Sequence, residues 1–133
     1  MKQIYVNIPV ASVAKSREFF AALGFSFNEQ FSDAQAACMV VEENICVMML
    51  DRQYFQTFTH KPVADATKGT EVLLCLSCES PAAVDDLVAK AIAAGGASPN
   101  PKQELGFMYG HGFEDLDGHV WELNWMDPKG MPQ

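Results

Sequence analysis

The residues with the richest chemistry gather near the end of this sequence. Glu122 stands between Trp121 and Leu123 in a run, His119 to Met126, that otherwise reads as a strand built for burial. A carboxylate there needs a partner or a ligand to offset its lost hydration. Leu116-Asp117-Gly118 separates this run from another strand-like stretch, Phe107 to Asp115. A turn centred on those residues sets Glu114 opposite His119, and hence His111 opposite Glu122. A histidine beside a carboxylate on a cavity-lining sheet could act as a general base, the carboxylate orienting the ring and stabilising the imidazolium. The plainer role for the pair is to tie the hairpin together. By the same alternation Tyr109 faces Asn124 and Phe113 faces Val120, while His119, Trp121, Leu123 and Trp125 turn to the other side as core. On the first strand Tyr5 and Asn7 share a face, and Ile4, Val6 and Ile8 take the opposite one.

Other reactive residues carry weaker signals. Cys38, Cys46, Cys75 and Cys78 lie in apolar, strand-like segments and are expected to be buried, reduced thiols. Cys75 and Cys78 have the spacing of a redox or zinc pair, but residues three apart on a strand point to opposite faces. Met48 is expected to point inward with Cys46 and Leu50, giving the site an apolar wall. His60 falls in a linker and is expected to be solvated. Gly106, Gly110, Gly112 and Gly118 do not form a phosphate-binding GxGxxG between a strand and a helix; backbone freedom in a curved strand region is their expected role.

The elements that would position these residues fit one domain of 133 residues. A hydrophobic share of 49% and a charged share of 20% are those of a folded globular chain. The formal charge of −8 argues against nucleic acid or an anionic membrane as partner. No stretch has the length of a signal peptide core or a membrane span, and a cytoplasmic location is the resulting expectation.

The pattern predicts a strand over Gln3 to Val10, then a helix capped by Ser12, with Val13, Ser16, Phe19, Phe20 and Leu23 inward and Gly24 at its exit. Strands are predicted over Phe25 to Phe31, Ala36 to Val41 and Ile45 to Leu50, with a turn at Glu43-Asn44. Residues 51–60 suit a short helix and 61–69 a linker. The order then restarts. Glu71 to Cys78 reads as a strand, and Ser80-Pro81 opens a helix with Val84, Leu87, Val88, Ala91 and Ile92 inward, before Gly95-Gly96. Strands follow at Ala97 to Lys102, Phe107 to Asp115 and His119 to Met126. With Val10 laid on Cys78, Ser12 falls on Ser80 and Phe20 on Val88, and Gly24 reaches Gly95 after a three-residue insertion. The expected fold is α+β: two βαβββ modules, about 1–58 and 70–127, with a linker at about 59–69 and a tail at 128–133. Their sheets would form a curved surface with a central concave cup suited to a ligand.

This order resembles the vicinal oxygen chelate superfamily of glyoxalases, bleomycin-resistance proteins and extradiol dioxygenases. Three stretches carry the resemblance: VASVAKSREFFAALGF at Val10 to Phe25, FEDLDGHVWEL at Phe113 to Leu123, and the closing Asn124-Trp125-Met126-Asp127-Pro128. It implies metal ligands at Asn7, Met48, Cys75 and Glu122, of which Glu122 alone matches the family's His and Glu set. An amide, a thioether and a thiol suit neither a glyoxalase nor an iron dioxygenase. The expectation is therefore no cofactor, with a divalent Zn, Ni, Mn or Fe at Glu122 as the alternative.

The resemblance implies a protein of the bleomycin-resistance kind that holds a small amphipathic or aromatic molecule, with Tyr5, Asn7, Met48, Cys75, Tyr109 and Asn124 as binding residues. The alternative is a glyoxalase-like lyase or isomerase, less readily a dioxygenase, moving a proton with Glu122 and His111. A pure assembly module is a third reading. A homodimer is expected in either main case.

Overall fold

The computed structural model of the chain describes residues 1–130; of the expected tail, 131–133 lie outside the described residues. The chain divides into two compact units, Met1–Asp65 and a second beginning at Ala66, so the division falls within the stretch read as a linker.

The first unit contains β1 (Ile4–Val10), α1 (Val13–Ala22), β2 (Ser26–Phe27), β3 (Ala36–Glu42), β4 (Ile45–Asp51) and the short α2 (Arg52–Gln56). Its sheet has the order β1-β4-β3-β2, with β1 parallel to β4 and the other pairs antiparallel. The second unit repeats this plan with β5 (Leu73–Ser77), α3 (Pro81–Ala93), β6 (Gln103–Glu104), β7 (Met108–Glu114) and β8 (Val120–Met126), in the order β5-β8-β7-β6. Each unit is thus a mixed, open four-stranded sheet with a helix.

Capping shows why the two long helices form where they do. The Ser12 Oγ accepts from the Lys15 N–H at 3.2 Å, and the Ser80 Oγ from the Ala83 N–H at 3.1 Å. At the other ends Gly24 and Gly95 adopt φ of 103° and 109°, a left-handed conformation that glycine reaches without a Cβ penalty. The Phe25 and Gly96 N–H groups then reach back to the carbonyls of Phe20 and Ala91. Ten residues in α1 against thirteen in α3 account for the three-residue insertion. Replacing Ser80 by alanine is expected to cost about 1 kcal/mol, read as a lower urea midpoint with an unchanged slope.

Buried apolar side chains lie where helix and sheet meet. In the first unit Val13, Phe19, Phe20 and Leu23 join Ile8, Met39, Val47 and Met49; in the second Val84, Val88 and Ala91 join Phe113, Trp121 and Leu123. Ile92, expected inward, is 52% exposed although Ala91 beside it is fully buried, so the buried stripe of α3 runs through Val84, Val88 and Ala91 and leaves Ile92 at its edge. Two predicted strands are shorter. Phe25 to Phe31 yields only Ser26–Phe27 before a 3-10 turn at Glu29–Phe31, capped by the Asn28 side chain. Ala97 to Lys102 yields a single bridge, Ala97 with Glu114, since Pro99 and Pro101 withhold N–H donors from a ladder; the short strand forms beyond them.

The final hairpin requires a larger correction. Glu114 pairs with Val120, Gly112 with Glu122 and His111 with Leu123, one residue from the predicted register. The connection spans Asp115 to His119 because the buried Asp115 folds it. Its Oδ1 accepts from the backbone N–H groups of Asp117 and His119, both at 3.0 Å, and its Oδ2 from the Trp121 Nε1–H at 2.9 Å. A slip of one residue moves every side chain of a strand to the other face.

Candidate functional site

The face of the second sheet away from α3 can be read row by row from the strand register. One row is Leu73, Val120 and Glu114; the next Cys75, Glu122 and Gly112; the third Ser77, Asn124, Gly110 and Gln103. Two of the three rows therefore meet β7 at a glycine. Neither Gly110 nor Gly112 has a positive φ, so conformational freedom, the role expected from the sequence, does not explain them. Space does: a Cβ at Gly110 would lie 2.5 Å from the Asn124 Oδ1, and one at Gly112 would lie 2.6 Å from the Trp121 carbonyl oxygen. The result is a strip of bare backbone flanked by Glu122 and Asn124.

A cavity of about 370 Å³ lies over this strip. Its floor includes Gly110, Gly112, Glu122 and Asn124, and the segment from Pro99 to Gln103 forms a rim. Side chains tie that rim down. The Ser98 hydroxyl donates to the Gly112 carbonyl at 2.6 Å, and the His111 Nε2 lies 3.0 Å from the Asn100 carbonyl oxygen. A carbonyl only accepts, so Nε2 is the donor in this contact. The Nδ1 is buried with no hydrogen-bond partner among the described residues. Lys102 adds a third tie, its ammonium 3.4 Å from Asp85 on α3. The Tyr109 hydroxyl donates to the same carboxylate at 2.5 Å, and this bond holds the Asp85 carboxyl below its ordinary value while raising that of the Tyr109 phenol.

The predicted site residues sort accordingly. Glu122, Asn124 and Cys75 share the cavity-side face, and the Asn124 amide donates to the Cys75 sulfur at 3.0 Å. Burial pushes the Cys75 thiol up, the Glu122 charge adds to the shift, and the Asn124 hydrogen bond opposes it. Tyr109 and His111 were expected in the cavity-side rows and do not stand there, although His111 still borders the cavity. The shifted register puts them on the helix side with Trp125 and Leu123, so His111 and Glu122 do not form a cross-strand pair. His119, anticipated as core, is 2% exposed, with its Nδ1 3.6 Å from Glu71. The four cysteines are free, but only Cys38 and Cys46 are buried; Cys75 is exposed, on the face of β5 away from α3, and Cys78, just beyond β5, is half-buried. His60 is exposed. In the first unit Tyr5 and Asn7 share an exposed face of β1, and Asn7 stands beside Met48 of β4.

The sequence reading missed the glycine strip and the Asn100 to Gln103 rim. Its available signal was the Gly110-x-Gly112 spacing, which leaves one face of a strand without side chains.

The four metal positions that the resemblance implies fall as two neighbouring pairs, Asn7 with Met48 and Cys75 with Glu122. Among the described residues no three His, Cys, Asp or Glu side chains gather as a metal would require. An amide, a thioether, a thiol hydrogen-bonded to Asn124 and one carboxylate do not fit the oxygen and nitrogen shell of a divalent ion.

This two-unit fold is that of solved structures from several bacteria. A hypothetical protein from S. aureus shares 27% identity, with 94% of each chain covered and a TM-score of 0.80. A glyoxalase/bleomycin resistance protein/dioxygenase family enzyme from Burkholderia phytofirmans shares 21% identity over 95% of this chain and 99% of that one, with a TM-score of 0.77. TnmS3, an antibiotic binding protein from Streptomyces sp. CB03234, shares 18% over 95% and 96%, with a TM-score of 0.66. No curated protein matches the sequence. The fold is the one seen in solved structures named for the glyoxalase/bleomycin resistance protein/dioxygenase family. Residues 2–42 match the bleomycin resistance protein-like N-terminal family. No helix among the described residues is long and apolar enough to cross a membrane.

Proposed function

We propose that the protein binds a small amphipathic or aromatic molecule and does no chemistry on it. The observation that carries this reading is the bare strip at Gly110 and Gly112, with Glu122 and Asn124 beside it and a cavity of about 370 Å³ above. A flat ring system can lie against backbone where no side chain intervenes, while the carboxylate and amide fix its polar end. Leu73, Val120, Pro99 and Pro101 supply apolar walls. That TnmS3, which shares the fold, is an antibiotic binding protein supports the same class of ligand, and the poor fit to a divalent metal favours binding over proton transfer. A cytoplasmic homodimer completes the reading.

The test is a screen of planar aromatic and amphipathic compounds by thermal shift, followed by calorimetry on wild type and Glu122→Gln. A ligand bound only by the native state raises its stability by mass action. The expected result is a set of compounds that stabilise the wild type and lose about tenfold or more in affinity in Glu122→Gln, while the free variant melts near the wild type. Stabilisation by Zn²⁺, Ni²⁺, Mn²⁺ or Fe²⁺ that disappears in Glu122→Gln would overturn this proposal in favour of a metal-assisted lyase or isomerase.

A further inference from the structure

Three sulfur atoms converge on one face of the first sheet, in the unit that does not contain the glycine-floored cavity. Cys38 of β3 pairs directly with Met48 of β4, and Cys46 precedes Met48 by two residues, so all three side chains leave the sheet on the same side. Cys38 and Cys46 stand diagonally across the β3–β4 ladder, within two residues of register. Both residues are buried, at 1% and 8% exposure, whereas Met48 is half-buried. Their directly paired neighbours on this face are Tyr5 and Val40 for Cys46 and Asn7 for Met48. None of these is cationic or anionic at neutral pH. The cluster thus offers two neighbouring thiols, a thioether alongside and a poorly hydrated setting.

We infer that Cys38, Cys46 and Met48 form a binding site for a soft monovalent metal ion, Cu(I) or Ag(I). Soft thiolate and thioether donors select Cu(I) over the hard divalent ions that favour oxygen and nitrogen. Two adjacent thiols supply an anionic sulfur pair once the metal displaces their protons, and the thioether adds a neutral third donor. Met48 occupies one of the superfamily's metal positions, but the other two donors do not. The site is separate from the ligand reading above and does not depend on it.

The experiment titrates the reduced, intact protein anaerobically with Cu(I) against a chromophoric Cu(I) chelator. X-ray absorption at the copper edge is measured on the loaded wild type. The expected result is one Cu(I) per chain in an all-sulfur shell, unaffected by replacing both Cys75 and Cys78 with serine. Met48→Leu, which nearly conserves volume and should fold, is expected to weaken binding by about tenfold. Cys46→Ser is expected to weaken it by about a hundredfold or more. Failure of the wild type to compete, a shell containing nitrogen or oxygen donors, or binding that disappears with Cys75 and Cys78 would each overturn the assignment. The absorption measurement needs no variant, so it decides the matter even if Cys46→Ser does not fold.

Discussion

Gly112→Ala is expected to lose about 1–3 kcal/mol of stability and most of its affinity for any ligand of the glycine-floored cavity. The new Cβ would meet the Trp121 carbonyl oxygen at 2.6 Å, closer than Cβ atoms approach other atoms in folded proteins. That oxygen belongs to the backbone of β8, which is laddered to β7 on one side and β5 on the other, so relief requires two strands to separate locally. Gly110→Ala provides the contrast. There the obstacle is the Asn124 Oδ1 at 2.5 Å, the end of a side chain that can rotate away. Gly110→Ala should therefore keep most of its stability, yet break the Asn124 contact with Cys75 and reduce ligand affinity. Urea unfolding and calorimetry on both variants provide the measurements. A Gly112→Ala protein as stable as wild type would contradict the close approach of β7 and β8, and undiminished binding by both variants would remove the strip as the ligand's floor.

That contrast also shows which features could be read from the residues alone. Both long helices were legible because capping and exit are local: a serine followed by a helical apolar stripe and then a glycine specifies where the chain turns. Ile92 was misplaced because periodicity identifies a stripe without fixing its width, and Ala91 takes the buried place while Ile92 beside it is exposed. Glu122 and Asn124 were assigned to a common face on strand alternation, which needs no knowledge of loop length, and Cys75 joined them through the resemblance. Tyr109 and His111 were assigned through the hairpin, and that inference depends on the number of residues in the turn. Leu116-Asp117-Gly118 has ordinary turn composition, but the connection also takes in Asp115 and His119. A buried aspartate that reaches back to an indole two residues into the next strand is a tertiary arrangement, and no local turn rule encodes it. The cavity was hardest to see because its defining feature is missing side chains: Gly110 and Gly112 resembled flexibility, when they create an open face.

Asp115 is the residue on which that face assignment rests, and Asp115→Asn is expected to destabilise the protein by about 2 kcal/mol. The carboxylate accepts three hydrogen bonds, two from the loop backbone and one from Trp121. An amide retains one acceptor oxygen, and in either orientation its NH₂ group meets a donor. The loss should depend on pH in a definite direction. Burial raises the Asp115 carboxyl above the ordinary value of 3.8, although His119, Trp121 and the backbone N–H groups of Asp117 and His119 all oppose the shift. Between the unfolded and the raised folded value the native state binds more protons than the unfolded chain. The group's contribution is therefore full below the unfolded value and lost as pH rises through the folded one. The stability gap between wild type and Asp115→Asn should be widest in acid and narrow toward neutrality. Urea unfolding of both proteins across that range measures it, and a gap that widens with rising pH would mean that the native site prefers the anion. Hydrogen exchange adds a structural readout: once the loop no longer holds its length, the N–H groups linking β7 and β8 should exchange faster than those linking β5 and β8. Uniform protection across both pairs would show that strand packing, and not Asp115, fixes the register that turns Glu122 and Asn124 toward the cavity.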